Sequence, residues 1–101
     1  MATNKMRPIH PGEILREEYL APLGMSAHAL AMALHVPAPR VNDIVRERRT
    51  VTPDTALRLA RYFDTSAQFW LNLQSSFDLK QVEIEAGSRI AEEVRPMPRA
   101  A

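Results

Sequence analysis

The chain of 101 residues has no cysteine, which excludes disulfides and cysteine-based zinc sites and fits a reducing cytoplasm. Its three glycines form no glycine-rich loop of the kind that cradles phosphates. No apolar run approaches the roughly 20 residues of a membrane span, and the N-terminus lacks the apolar core of a signal peptide. We therefore expect a single cytoplasmic domain with no membrane contact.

The net charge of +1 is uninformative, but the charges are unevenly distributed along the chain. Residues 38–63 carry six arginines against three carboxylates, whereas residues 78–93 carry five carboxylates against two cations. A polyanion would be attracted to the first segment and repelled by the second. Two ordinary solvated faces would give the same pattern, so charge alone leaves both interpretations open.

Apolar residues recur at helical spacing, and no segment alternates as a strand would. The pattern predicts a first helix from Pro11 to about Leu20, broken by residues 21–24, and a second from an N-cap at Ser26 to Leu34. A third helix should begin with Pro39 at its first position. A fourth should follow the cap Thr52, and a fifth should run from Ser66 to about Ala86 and stop at Gly87. Two prolines, at 96 and 98, predict an extended, mobile end.

The segment 25–52 has the plan of a helix-turn-helix, whose second helix enters the DNA major groove. Ala29, Ala31 and Ala33 would let the two helices cross closely, and Val36 would fill the gap beneath the turn. Paired amphipathic helices with solubilising arginines are an equally good interpretation of the spacing alone.

The predicted outward face of the third helix consists of Ala38, Arg40, Asn42, Asp43 and Arg46. Arginine can bind guanine, asparagine can bind adenine, and a carboxylate can accept from cytosine. Ser26, Arg48 and Arg49 are candidates for holding phosphates. Asp43 and Glu47 count against DNA binding, because carboxylates near phosphates weaken it unless they read a base.

Other chemistry has little support in the sequence. His10, His28 and His35 lack metal-ligand spacing, so we expect no metal site, and no cofactor motif is present. No nucleophile elbow accompanies Ser26, His28 and Asp43, so the chain is not expected to be an enzyme. On the fifth helix, Phe69, Trp70, Leu73 and Phe77 are interpreted as core, as a dimer surface, or as both.

Three stretches together resemble a known family over about seventy residues, ending at Leu79. These are HPGEILREEYL from His10, the central MSAHALAMALHVPAPRVNDIVRERRTVTPDTALRLARYF, and TSAQFWLNLQSSFDL. They resemble the HigA-type antitoxins, which belong to the Xre group of helix-turn-helix regulators. The resemblance implies an all-α, five-helix, lambda-repressor-like domain with an extended C-terminal helix and tail.

The resemblance also implies a homodimer that binds a palindromic operator in double-stranded DNA of its own promoter. It implies as a second partner a HigB-like toxin, a small RelE-type nuclease that cuts translated messenger RNA. The DNA-reading helix maps onto residues 37–46, so Ala38, Arg40, Asn42 and Asp43 take base-reading positions. The phosphate-holding positions fall on Ser26, His28, and Arg48 or Arg49.

The chain departs from the family pattern at five positions. His35 and Glu47 stand where glycines are common, Pro37 replaces a serine, and Ala27 replaces a glutamine that often contacts DNA. Asp43 and Glu47 add carboxylates near the proposed DNA face. These departures motivate an alternative hypothesis, a protein-interaction module that neutralises a partner with little or no DNA binding. In either case we expect an N-terminal arm at 1–9, the helix-turn-helix and dimerisation domain at 10–86, and a partly flexible tail at 87–101.

Overall fold

The computed structural model describes residues 7–98, which form five helices and no strand. The outer parts of the predicted arm and tail, residues 1–6 and 99–101, lie outside the described residues. Helix α1 comprises Pro11–Ile14, Leu15–Leu20 and Ala21–Leu23 in one continuous run. The others are α2 (Ala27–Leu34), α3 (Ala38–Val45), α4 (Pro53–Phe63) and α5 (Ala67–Glu93). The predicted all-α class is confirmed.

Hydroxyl side chains define the starts of three helices. Ser26 Oγ accepts the Ala29 N–H of α2 at 3.0 Å, and Ser66 Oγ accepts the Phe69 N–H of α5 at 3.0 Å. Thr52 caps α4 in the same way, with Pro53 at the first helical position. The predicted caps are confirmed. They could be predicted from the sequence because a helix start depends on local hydrogen bonds between a side chain and the backbone.

Two predicted helix boundaries in the N-terminal half of the chain were wrong. The break expected at residues 21–24 does not begin at Ala21. Helix α1 continues beyond the π-helical stretch Leu15–Leu20 to Leu23, and Gly24 caps it with φ 60°. Pro22 therefore lies in the last turn of α1. Helix α3 begins one residue earlier than expected, at Ala38, so that Pro39 is its second residue.

The stop predicted at Gly87 was also wrong. Helix α5 continues through Gly87 to Glu93 and spans 27 residues. An interior glycine costs a helix only about 1 kcal/mol, and Gly87 does not have the positive φ of a C-terminal cap. A single glycine is therefore a weak stop signal when good helix-forming residues flank it.

The core lies where α1 to α4 meet the first third of α5. Its buried apolar residues are Leu15, Leu20, Leu30, Ala31, Leu34, Val41, Ile44, Val51, Ala56, Leu59 and Trp70. On α5 only Trp70 and Gln74 are buried, and several apolar side chains after them are exposed. The C-terminal half of α5 therefore extends past the core, and the molecule measures 57 × 26 × 23 Å.

Candidate nucleic-acid interface

Helices α2 and α3 pack against each other across the short turn 35–37. His35 adopts the left-handed conformation, with φ 58° and ψ 47°, and its N–H donates to carbonyls of α2. Val36 N–H donates to the Ala31 carbonyl at 3.1 Å, and the Val36 side chain packs against the core. The predicted helix-turn-helix plan is confirmed, including the role of Val36.

Helix α1 holds α3 in place from behind. A Cβ added to Gly12 would lie 1.8 Å from the Ile44 carbonyl oxygen, so only glycine permits this close crossing of α1 and α3. Arg16 donates to the Val45 carbonyl at the end of α3 and approaches Glu47 Oε2 at 3.4 Å. Val41 and Ile44 are buried on the inner side, which turns the opposite side of α3 outward.

The structure leaves five of the predicted DNA-contacting residues exposed. Arg46, Arg48 and Arg49 are exposed at and after the end of α3, and Ser26 and His28 are exposed at the start of α2. Arg40, Asn42 and Asp43 are half-buried on α3. Ala38 packs partly against the core, so it presents less surface than the sequence indicated.

Arg40 is held by a network of side chains that the sequence did not predict. Arg40 NH1 lies 3.0 Å from Asp54 Oδ1, and the same oxygen accepts from Arg58 Nε at 2.7 Å. Arg58 NH1 in turn donates to the Leu34 carbonyl at 2.8 Å. These bonds, first from Arg58 and then from Arg40, hold the pKa of the Asp54 carboxyl below its usual range. We call this set the Arg40–Asp54–Arg58 network, and the i, i+4 spacing of Asp54 and Arg58 was its only signal in the sequence.

Both carboxylates that counted against DNA binding are paired with arginines. Asp43 lies 3.3 Å from Arg49 NH2, and Glu47 lies 3.4 Å from Arg16 NH2. Arg46 and Arg48 form no side-chain hydrogen bond or ion pair within residues 7–98. Arg46 and Arg48 therefore carry positive charge that no side chain within residues 7–98 pairs with, and both are exposed at and just after the end of α3.

The loop that carries Arg48 and Arg49 is anchored to α5. Val51 is buried, and its N–H donates to Gln74 Oε1 at 2.8 Å. Gln74 is itself only 5% exposed, and its Nε2 donates to Asp78. Gln74 could not be predicted as an anchor from the sequence, since a polar residue on an amphipathic helix is usually exposed.

The residues predicted for a dimer surface occupy different environments. Trp70 is 0% exposed inside the protomer, with its Nε1 donating to Thr65 Oγ1 at 2.8 Å, so it offers no surface to a partner. Phe69 is 37% exposed, whereas Leu73 and Phe77 are half-buried. The Phe77 ring stands edge-on to His10 at a centroid distance of 4.8 Å.

Within residues 7–98, no three histidines, aspartates or glutamates come together as metal ligands would. None of the helices in that range is long and apolar enough to cross a membrane.

Comparison with known proteins assigns the family. A family model described as Helix-turn-helix matches residues 15–70. The solved structure of Pseudomonas aeruginosa antitoxin HigA with the higBA promoter superposes with a TM-score of 0.89 at 56% identity, covering 91% of this chain and 100% of that chain. The chain belongs to the HigA family of Xre-type helix-turn-helix proteins. The resemblance noted in the sequence is thereby confirmed.

Two curated relatives extend this picture of the HigA family. Virulence-associated protein I of Dichelobacter nodosus is 66% identical over 80 residues, which cover 79% of this chain and 74% of that protein. Antitoxin HigA-1 of Vibrio cholerae is 35% identical over 79 residues, which cover 78% of this chain and 74% of that protein. Because the family consists of helix-turn-helix antitoxins and regulators, the expectation that the chain is not an enzyme is confirmed.

Proposed function

We propose that this protein is a sequence-specific DNA-binding repressor of its own operon and the antitoxin of a toxin–antitoxin pair. The observation that carries the proposal is the exposed side of α3, flanked by the unpaired Arg46 and Arg48, in a chain that superposes on a HigA structure containing a promoter. Pairing of Asp43 and Glu47 with arginines removes much of the charge objection to DNA binding. Such a repressor acts in the cytoplasm, beside the DNA.

In the proposed complex, α3 enters the major groove with its N-terminal part against the base edges. Arg40, Asn42 and Asp43 read bases, with Ala38 beside them making at most an apolar contact. Arg46, Arg48, Arg49 and His28 hold phosphates, together with the hydroxyl of Ser26. That hydroxyl oxygen accepts the Ala29 N–H, which leaves the O–H hydrogen free to donate to a phosphate.

We propose a homodimer with two-fold symmetry, which would place its two α3 helices about 34 Å apart, one turn of DNA. Phe69, Leu73 and Phe77 remain candidates for the interface, and the structure adds a better-exposed set farther along α5. At about 100° per residue these side chains fall within about 80° of one another. This α5 stripe consists of Leu79 (62% exposed), Val82 (47%) and Ile90 (42%).

The proposed second partner is a HigB-like toxin of the RelE type, which would cut translated messenger RNA. The naming of similar proteins as HigA antitoxins supports this partner. A small basic protein encoded next to this chain should co-purify with it and lose its ribonuclease activity on binding. A neighbouring protein that neither binds nor is inhibited would contradict the antitoxin half of the proposal.

DNA binding is tested by gel shift with a duplex from the region upstream of the chain's own reading frame. We expect a shift that weakens steeply as salt rises, because binding releases counterions from the phosphates. A scrambled duplex of the same composition is the control. Absence of any shift at about 50 mM salt would leave only the interaction-module hypothesis.

Arg40→Ala and Arg48→Ala should weaken DNA binding in different ways. Arg40→Ala should lose about 1–3 kcal/mol of discrimination at one base position. Arg48→Ala should weaken operator and scrambled duplexes alike and reduce the salt slope by about one. Equal losses on both duplexes for Arg40→Ala would contradict its base-reading role.

A further inference from the structure

Asp54 lies outside the helix-turn-helix unit, yet it touches the residue with the strongest claim to read a base. It is the second residue of α4, and its carboxylate oxygen binds both Arg40 and Arg58. We infer that Asp54 is a positioning residue for sequence recognition, which fixes the Arg40 guanidinium in a base-reading orientation. This inference rests on the proposed function, since it concerns how the same site chooses its DNA.

The geometry leaves Arg40 able to bind a base while Asp54 holds it. Arginine has five N–H donors in a planar fork, and the bond to Asp54 involves NH1 alone. The edge formed by Nε and NH2 remains free to donate to guanine O6 and N7. An arginine fixed in this way loses less side-chain freedom on binding, which strengthens the contact to the correct base.

Arg58 fixes Asp54 relative to the recognition unit. Its Nε binds Asp54, while its NH1 donates to the Leu34 carbonyl at 2.8 Å and approaches the His35 carbonyl at 3.5 Å. The carboxylate is therefore tied to the end of α2 and to the start of α3 at once. Moving either helix would move Asp54 with it, so the orientation of Arg40 follows the unit itself.

Electrostatics gives Asp54 a second and opposite effect on DNA binding. Its side chain is 58% exposed beside the proposed DNA face, where a negative charge repels phosphates of any sequence. Asp54 should thus strengthen binding to the operator through Arg40 and weaken binding to unrelated DNA through its charge. A residue needed only for folding would change both affinities in the same direction.

The test measures the affinities of Asp54→Asn for the upstream duplex and for the scrambled duplex at equal salt. We expect operator affinity to fall about threefold to tenfold as the charged tether of Arg40 becomes a weaker, neutral hydrogen bond, while scrambled-duplex affinity rises about twofold. Asp64→Asn is the matched control, because Asp64 is an exposed aspartate at the far end of α4 and asparagine tolerates its left-handed conformation. It should leave the ratio of the two affinities unchanged.

A double-mutant cycle with Arg40→Ala isolates the coupling between the two residues. In that background, Asp54→Asn should no longer lower operator affinity. In a chain that keeps Arg40, Asp54→Glu should retain more selectivity than Asp54→Asn, because it keeps the carboxylate. Parallel changes on both duplexes, or an undiminished loss without Arg40, would overturn the inference while leaving the repressor intact. Failure of the wild-type protein to prefer its upstream duplex would overturn the proposed function, and the inference with it.

Discussion

At the scale of single residues, the HPGEIL segment explains how α1 is seated on α3. His10 caps α1 by accepting the Gly12 N–H on Nδ1 at 2.8 Å, and Pro11 occupies the first helical position. Gly12 lies against the Ile44 carbonyl, and Glu13 pairs with Arg7 at the surface. The first four residues of this short motif therefore have structural roles at the start of α1.

Gly12→Ala should destabilise the protein, whereas Gly87→Ala should stabilise it. The first substitution places a methyl group 1.8 Å from the Ile44 carbonyl oxygen and must push α1 away from α3, at a cost of about 1–3 kcal/mol or more. The second adds a methyl group in open space within a helix, for a gain of up to about 1 kcal/mol. Urea unfolding of both variants checks this, and a Gly12→Ala variant as stable as wild type would refute the close-crossing argument.

His10 should make the protein less stable in mild acid. Burial lowers the pKa of this imidazole, although the Glu47 and Asp78 carboxylates raise it in part. The imidazole of the unfolded chain therefore takes up a proton more readily than that of the folded chain. The neutral His10 contributes its full stability above about pH 6.5, and this stability is lost as the pH falls toward the lowered pKa of the folded protein. The lowered pKa values of Glu13 and Asp54 act in a separate, more acidic range.

Urea unfolding between about pH 7 and pH 5 checks the contribution of His10. The matched variant is His10→Asn, because asparagine can cap the helix but does not titrate. It should flatten the decline in stability over this range. A decline as steep as in wild type would show that other groups cause it.

At the scale of elements, left-handed residues end three of the helical segments without glycine. His35, Glu47 and Asp64 have φ values of 58°, 63° and 56°. The two family departures at His35 and Glu47 therefore keep the backbone conformation that glycine would supply, with some strain. Arg16 partly compensates at Glu47 by pairing with its carboxylate.

His35→Gly should stabilise the protein by about 0.5–1 kcal/mol, because it removes the left-handed strain, though glycine also loosens the unfolded chain. The His35 side chain is exposed, so little packing is lost. His35→Ala is the control, since it removes the imidazole and keeps the Cβ. Thermal unfolding should show a higher Tm for the glycine variant only, and an equal gain for alanine would mean that strain is not the cause.

At the scale of the whole molecule, the basic and the acidic segments of the chain lie in different helices. The helix-turn-helix unit and α4 carry six arginines, while the acidic half of α5 extends past the core with its apolar stripe exposed. A monomer with such a stripe has apolar surface that dimerisation would bury. The acidic end of α5 would meanwhile be kept away from DNA by repulsion.

Ile90→Glu should weaken the proposed dimer by about tenfold to a hundredfold, because a two-fold interface would bury the new charge twice. Ile84→Glu makes the same change about 120° around the helix, at a site that is 64% exposed and outside the stripe. Sedimentation equilibrium should show dissociation for Ile90→Glu alone, together with weaker operator binding. Equal behaviour of the two variants would place the dimer contact elsewhere.

The sequence by itself determined the helices, their hydroxyl caps, the helix-turn-helix and the family, because these depend on local bonds and on apolar spacing. Only the tertiary structure decided that Trp70 lies in the core, that α5 passes Gly87, and that Arg40 is held by Asp54 and Arg58. It also revealed the arginine partners of Asp43 and Glu47. Burial and ion pairing depend on which side chains contact one another across helices, some of them far apart in sequence. The periodicity of a single helix does not specify those contacts.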